Sequence, residues 1–215
     1  MRTIKMLGIA AVMALALTAF GAASAQASVK VYSCEGKETN CQPATMPAGG
    51  NPGATFTAKG TVWVSDGIMV PNQCTQTYNV EVLDNESEGT SDRIELRVSG
   101  ASLTGCTMAA VTLPKQPWIV ATNSTDFLAN HTLRFDTYYY VVNTSFGLCE
   151  YGIVAGLSGP KWEWTNDTVS WGNSNGGLKR VGGNIACGYR SFNGGVTVSK
   201  VSDSGNPSAN NIVIK

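Results

Sequence analysis

The chain is predicted to fold as one all-β domain, a disulfide-braced β-sandwich or barrel with a loop-rich N-terminal arm. Three observations carry that expectation. Short runs of alternating apolar and polar residues recur from Ala54 onward. Glycine and asparagine clusters separate them, notably Gly172–Gly177, Gly182-Gly183 and Asn193-Gly194-Gly195. Six cysteines, Cys34, Cys41, Cys74, Cys106, Cys149 and Cys187, all follow a segment laid out like an export leader.

That leader is Met1–Ala25. Arg2 and Lys5 give it a positive start, and an apolar run extends from Met6 to Phe20. Ala23-Ser24-Ala25 and Ala25-Gln26-Ala27 both fit the small-x-small cleavage pattern. The run is too short to span a bilayer comfortably, and no later stretch approaches a membrane helix. The expected product is secreted or held at the cell surface, with no transmembrane segment. It divides into residues 1–25 as leader, 26–53 as arm and 54–215 as β domain. The chain has 15 basic and 15 acidic residues, and loss of Arg2 and Lys5 leaves it slightly acidic. No basic excess exists to hold nucleic acid or anionic lipid.

In the arm, Pro43, Pro47, Pro52 and Gly49-Gly50 punctuate rather than propagate structure. Beyond it, Phe56, Ala58, Val62 and Val64 share one parity, and Thr55, Thr57, Lys59 and Thr61 the other. That is the period of a half-buried strand. Tyr78, Val80 and Val82 repeat the pattern, as do Ile94, Leu96 and Val98, with the polar segment Asp84–Ser91 as a hairpin loop between them. Leu133, Phe135, Tyr139 and Val141 make a further run. Cys149, Tyr151, Ile153, Ala155 and Leu157 follow, then Trp162 and Trp164 flanking Glu163. Ile185, Cys187 and Tyr189, then Val196 and Val198, and finally Asn211–Lys215 complete the β-prone segments. No sustained helical spacing occurs outside the leader.

An even cysteine count in an exported chain implies disulfides. Spacing alone does not choose the partners; the un-nested set Cys34–Cys41, Cys74–Cys106 and Cys149–Cys187 is the expectation. Each of the two longer loops would contribute about 3–4 kcal/mol by restricting the unfolded chain. A zinc site is a poor alternative, because there is no C-x-x-C and the single His131 is far from any cysteine pair. No metal or cofactor is expected.

Catalytic signals are weak. Residues 172–176 match G-x-S-x-G, but they sit among glycines and asparagines with no helix to follow. His131 also precedes Ser174, the reverse of the hydrolase order. His131 reads as a loop or strand-edge residue. Glu150, Glu163, Asp136 and Asp167 are scattered acids, and a glycosidase needs two of them at defined separation in a cleft. Asp84–Glu88 lacks the spacing of a calcium loop and reads as solvated. The sequons at Asn85, Asn123, Asn130, Asn143 and Asn166 follow from abundant Asn, Ser and Thr. The chain is therefore expected not to be an enzyme. Trp162, Trp164 and Trp171 are the candidate ligand-binding residues: such rings either stack on a sugar or hydrocarbon, or fill the core. Trp63 lies on the polar parity of its strand, which places it in solvent or under the arm.

One set of motifs carries a family likeness. It comprises Ala54-Thr-Phe-Thr-Ala-Lys-Gly60, Cys74, Val98-Ser-Gly-Ala-Ser-Leu-Thr-Gly-Cys106, Leu113-Pro114 with Pro117-Trp118, Gly147-Leu-Cys149 and Cys187. Over most of residues 54–200 the chain resembles the bacterial PraA/PraB-like exported proteins, the family of activators of alkane oxidation. It adds Cys34, Cys41, the arm and a longer Trp162–Gly183 region. The resemblance implies a secreted accessory that binds or disperses hydrophobic small molecules or alters the cell surface, and it carries over no catalytic residue. Two other roles compete: a structural or adhesive protein self-associating through the β-prone Asn211–Lys215, and a carbohydrate-binding module using the three tryptophans.

Overall fold

The computed structural model describes residues 29–65, 72–85, 93–108, 110–113, 116–135, 139–144, 147–153, 161–165, 168–171, 178–183, 187 and 191–215. The leader lies outside them. Strands form where the alternation lets one face be buried. β3 (Thr55–Ser65), β4 (Asn72–Asp84) and β5 (Arg93–Thr104) are successive antiparallel neighbours. β7 (Trp118–Asn123), β8 (Thr132–Phe135), β11 (Lys161–Thr165), β12 (Thr168–Trp171) and β14 (Ser191–Ser202) extend the ladder in the order β11-β12-β14-β3-β4-β5-β7-β8. β8 also pairs with β11, closing an eight-stranded antiparallel barrel. Closure leaves the sheet without edges.

The inward parity is the one the sequence marks. Phe56, Ala58, Val62 and Val64 are buried on β3, Tyr78, Val80 and Val82 on β4, and Ile94, Leu96 and Val98 on β5. Aromatic rings fill one part of the barrel edge to face: Phe135 and Trp162 at 4.7 Å between centroids, Tyr78 and Trp162 at 5.2 Å, Phe56 and Trp164 at 5.9 Å. Each such pair adds about 1 kcal/mol beyond its buried area. Where β14 crosses β3 the backbones come close, and a Cβ at Gly60 would collide with the Gly195 carbonyl oxygen. Opposite Gly60 on β4 stands Gln76, fully buried, with neither atom of its carboxamide hydrogen-bonded among the described residues.

A second sheet, β13-β10-β9-β6, joins the same core. Its strands are β6 (Val111–Thr112), β9 (Tyr139–Thr144), β10 (Gly147–Ile153) and β13 (Leu178–Gly183). The expected run Leu133–Val141 is therefore two strands in different sheets, and β9 buries Val142 rather than Val141. Ala155, Leu157, Ile185 and Tyr189 lie outside the described residues. The structure also contains a helix that lacks a periodic signature, α1 (Ser124–Asn130), capped by the Asn123 Oδ1 accepting from the Asp126 N–H at 2.7 Å.

The arm is more ordered than its prolines suggest. β1 (Val31–Cys34) lies between β2 (Gln42–Pro43) and β15 (Asn211–Ile214) in a three-stranded antiparallel sheet. Asp203 anchors this clip to the end of β14: its carboxylate accepts from Ser33 Oγ at 2.6 Å and Thr45 Oγ1 at 2.7 Å, and from the Gly205 N–H. Asn85 closes the other side, bonding the Val31 N–H and the Val31 and Ala44 carbonyls. The three disulfides are Cys34–Cys41, Cys74–Cys106 and Cys149–Cys187, the un-nested set.

Candidate functional site

The fold sorts the candidate residues by which way their strands turn them. Trp162 and Trp164 share the inward parity of β11 and are 2% and 3% exposed. Their ligand-binding assignment is corrected accordingly: rings packed against Tyr78, Phe135 and Phe56 present no face to a sugar or hydrocarbon from outside. Trp118 is buried as well. The Trp171 side chain lies outside the described residues, as does the 172–176 motif.

β15 pairs with β1 inside the chain, and Asn211, Ile212, Val213 and Ile214 are all buried. It is an outer strand of the three-stranded sheet, so the intermolecular pairing expected of this segment would use its other edge and leave the β1 contact in place.

The polar candidates do not converge. His131 is exposed in the left-handed region, φ 49°, and ends α1 by donating its N–H to the Phe127 carbonyl at 2.6 Å. Glu163 points outward on the barrel and Glu150 belongs to the second sheet. Asp136 and Asp167 lie outside the described residues. Among the described residues no three His, Cys, Asp or Glu side chains gather as metal ligands. Burial pushes the Tyr151 phenol up to about 12 against the pull of Arg180, so it stays neutral in ordinary buffers. Asn85, read as part of a solvated loop, is instead a buried bracket for the clip. No helix among the described residues is long and apolar enough to cross a membrane.

What the barrel leaves in water is more informative. Trp63 is 44% exposed and Met108 53% exposed. They lie on either side of Gln73: Trp63 is its ladder partner on β3, and the Thr107 N–H donates to its carbonyl at 3.0 Å, with the Met108 N–H held by Asn72 Oδ1 at 2.8 Å. The adjacent Cys74–Cys106 bridge ties this corner together. An indole and a thioether therefore share one braced rim of the barrel. Parity flagged Trp63; Met108 had no signal, since it follows the end of β5 rather than alternating within it. No family model, curated protein or solved structure matches the chain.

Proposed function

We propose that the protein is an exported, non-catalytic accessory that acts on hydrophobic substrate or at the cell surface, in the manner of the alkane-oxidation activators it resembles. The observation that carries this reading is the rim bearing Trp63 and Met108. A barrel able to bury Trp118, Trp162 and Trp164 keeps these two large apolar side chains in solvent. The three disulfides accord with an oxidising environment, where such an accessory would work. Scattered acids and a filled barrel interior favour surface contact over turnover in a pocket.

The test is partition between hexadecane and water. The purified protein should accumulate at the interface and stabilise an emulsion. A Trp63→Ser/Met108→Ser double variant with an unchanged melting temperature should lose most of that activity. Wild-type protein that stays wholly in the aqueous phase would overturn the reading.

A further inference from the structure

A groove of about 310 Å³ crosses the outer face of β14, β3, β4 and β5. Two β-bulges shape it. On β5 the register slips at Ser99, which has no partner of its own while Val98 faces Val80 and Gly100 faces Asn79. On β14 it slips at Ser199, between Val198 opposite Ala58 and Lys200 opposite Thr57. The bulges flank one ladder pair, Thr57 with Asn79, from its two sides. Each bulge serine turns its hydroxyl back onto that pair, Ser99 Oγ donating to the Asn79 carbonyl and Ser199 Oγ to the Thr57 carbonyl at 3.1 Å. Such paired irregularities re-aim side chains and are common beside binding sites.

The lining chemistry is specific. The exposed groups are the hydroxyls of Thr55, Thr57, Ser99 and Ser202, the Asn79 carboxamide and the Lys200 ammonium. Thr57 Oγ1 donates to Asn79 Oδ1 at 3.2 Å, which fixes the amide and leaves its Nδ2 as a donor. Gly100 makes room for it, since a Cβ there would press on Nδ2 at 3.2 Å. Phe56 and Val80 contribute backbone, because their side chains are buried in the barrel. The surrounding charges favour an anion. Lys59 stands one step along β3 and Arg97 one step along β5; Glu81, one step along β4, is bound to Arg97. The Asp203 carboxylate, next in sequence to Ser202, is buried under the arm. Among the described residues the Lys200 ammonium makes no ion pair.

We infer that this groove holds one acidic sugar unit of a polysaccharide, its hydroxyls bonded by the Thr57, Asn79 and Ser99 side chains and its carboxylate by Lys200. The groove is open at the surface and near the lower end of ligand-site volumes, which suits one ring of a polymer better than an enclosed metabolite. It offers hydrogen bonds and one positive point charge, neither of which a hydrocarbon can use. The inference is independent of the rim at Trp63.

Calorimetric titration of the full chain with a galacturonate tetramer, cellotetraose and inorganic phosphate tests it. The uronate should bind, with the neutral glucan at least about tenfold weaker and added salt weakening the uronate. Lys200→Gln and Asn79→Ala should each lose about tenfold in uronate affinity with an unchanged melting temperature. Absence of uronate binding, equal binding of cellotetraose, phosphate binding as tight as the tetramer, or variants that bind like the wild type would each overturn the inference.

Discussion

At Asp203 four hydrogen bonds meet one carboxylate, from Ser33 Oγ, Thr45 Oγ1 and the Gly205 and Thr45 N–H groups. Burial pushes this carboxyl up, but the four donors together hold it below its ordinary value. A carboxyl depressed in the folded state stabilises the protein above its unfolded value and loses that contribution as pH falls through the folded one. Asp203→Asn should therefore lower the melting temperature at neutral pH, and the gap to wild type should close as melts are taken below about pH 4. Gln76 is the opposite case, a buried carboxamide with no hydrogen-bond partner among the described residues. Gln76→Met keeps the volume and removes the desolvation cost, so denaturant unfolding should show about 1 kcal/mol more stability. Neither role was legible in the sequence. Gln76 obeys the inward parity of β4, but parity does not report whether a partner awaits. Ser33 and Thr45, which give Asp203 three of its four hydrogen bonds, lie far away in the chain. Trp63 was legible, because its place among Thr61 and Ser65 contradicts its size.

The elements were readable in proportion to how one-sided their burial is. β3, β4 and β5 each bury one parity, so the period survives in Phe56–Val64, Tyr78–Val82 and Ile94–Val98. The run from Leu133 to Val141 kept its alternation across a break in which the chain passes from barrel to second sheet, and nothing local marks that passage. The helix α1 is too short to show a stripe; Phe127 is buried on it, and the Asn123 side chain caps its first turn. The bulges at Ser99 and Ser199 escaped for a related reason. Serine beside glycine or lysine on a strand's outer face looks like ordinary surface, and the groove exists only once four strands are in register.

For the whole molecule, all-β architecture followed from the alternation, while the choice between sandwich and barrel did not. That choice rests on Leu133 pairing with Trp162, a meeting of β8 and β11 that no local pattern encodes. The clip is equally non-local: the Lys30 N–H donates to the Lys215 carbonyl at 2.8 Å and the Lys215 N–H returns the bond at 3.1 Å. A chain truncated before Asn211 loses one of the two neighbours of β1, so limited proteolysis should cut the arm near residues 35–53 several-fold faster while the barrel, held by Cys74–Cys106, persists. The two halves of the clip bracket every barrel strand in chain order. During synthesis, residues 31–34 emerge first and wait for residues 211–214 until all eight staves have been made. Fastening thus cannot precede the synthesis of residue 211, and a nascent chain paused anywhere short of it carries a front strand without its β15 partner.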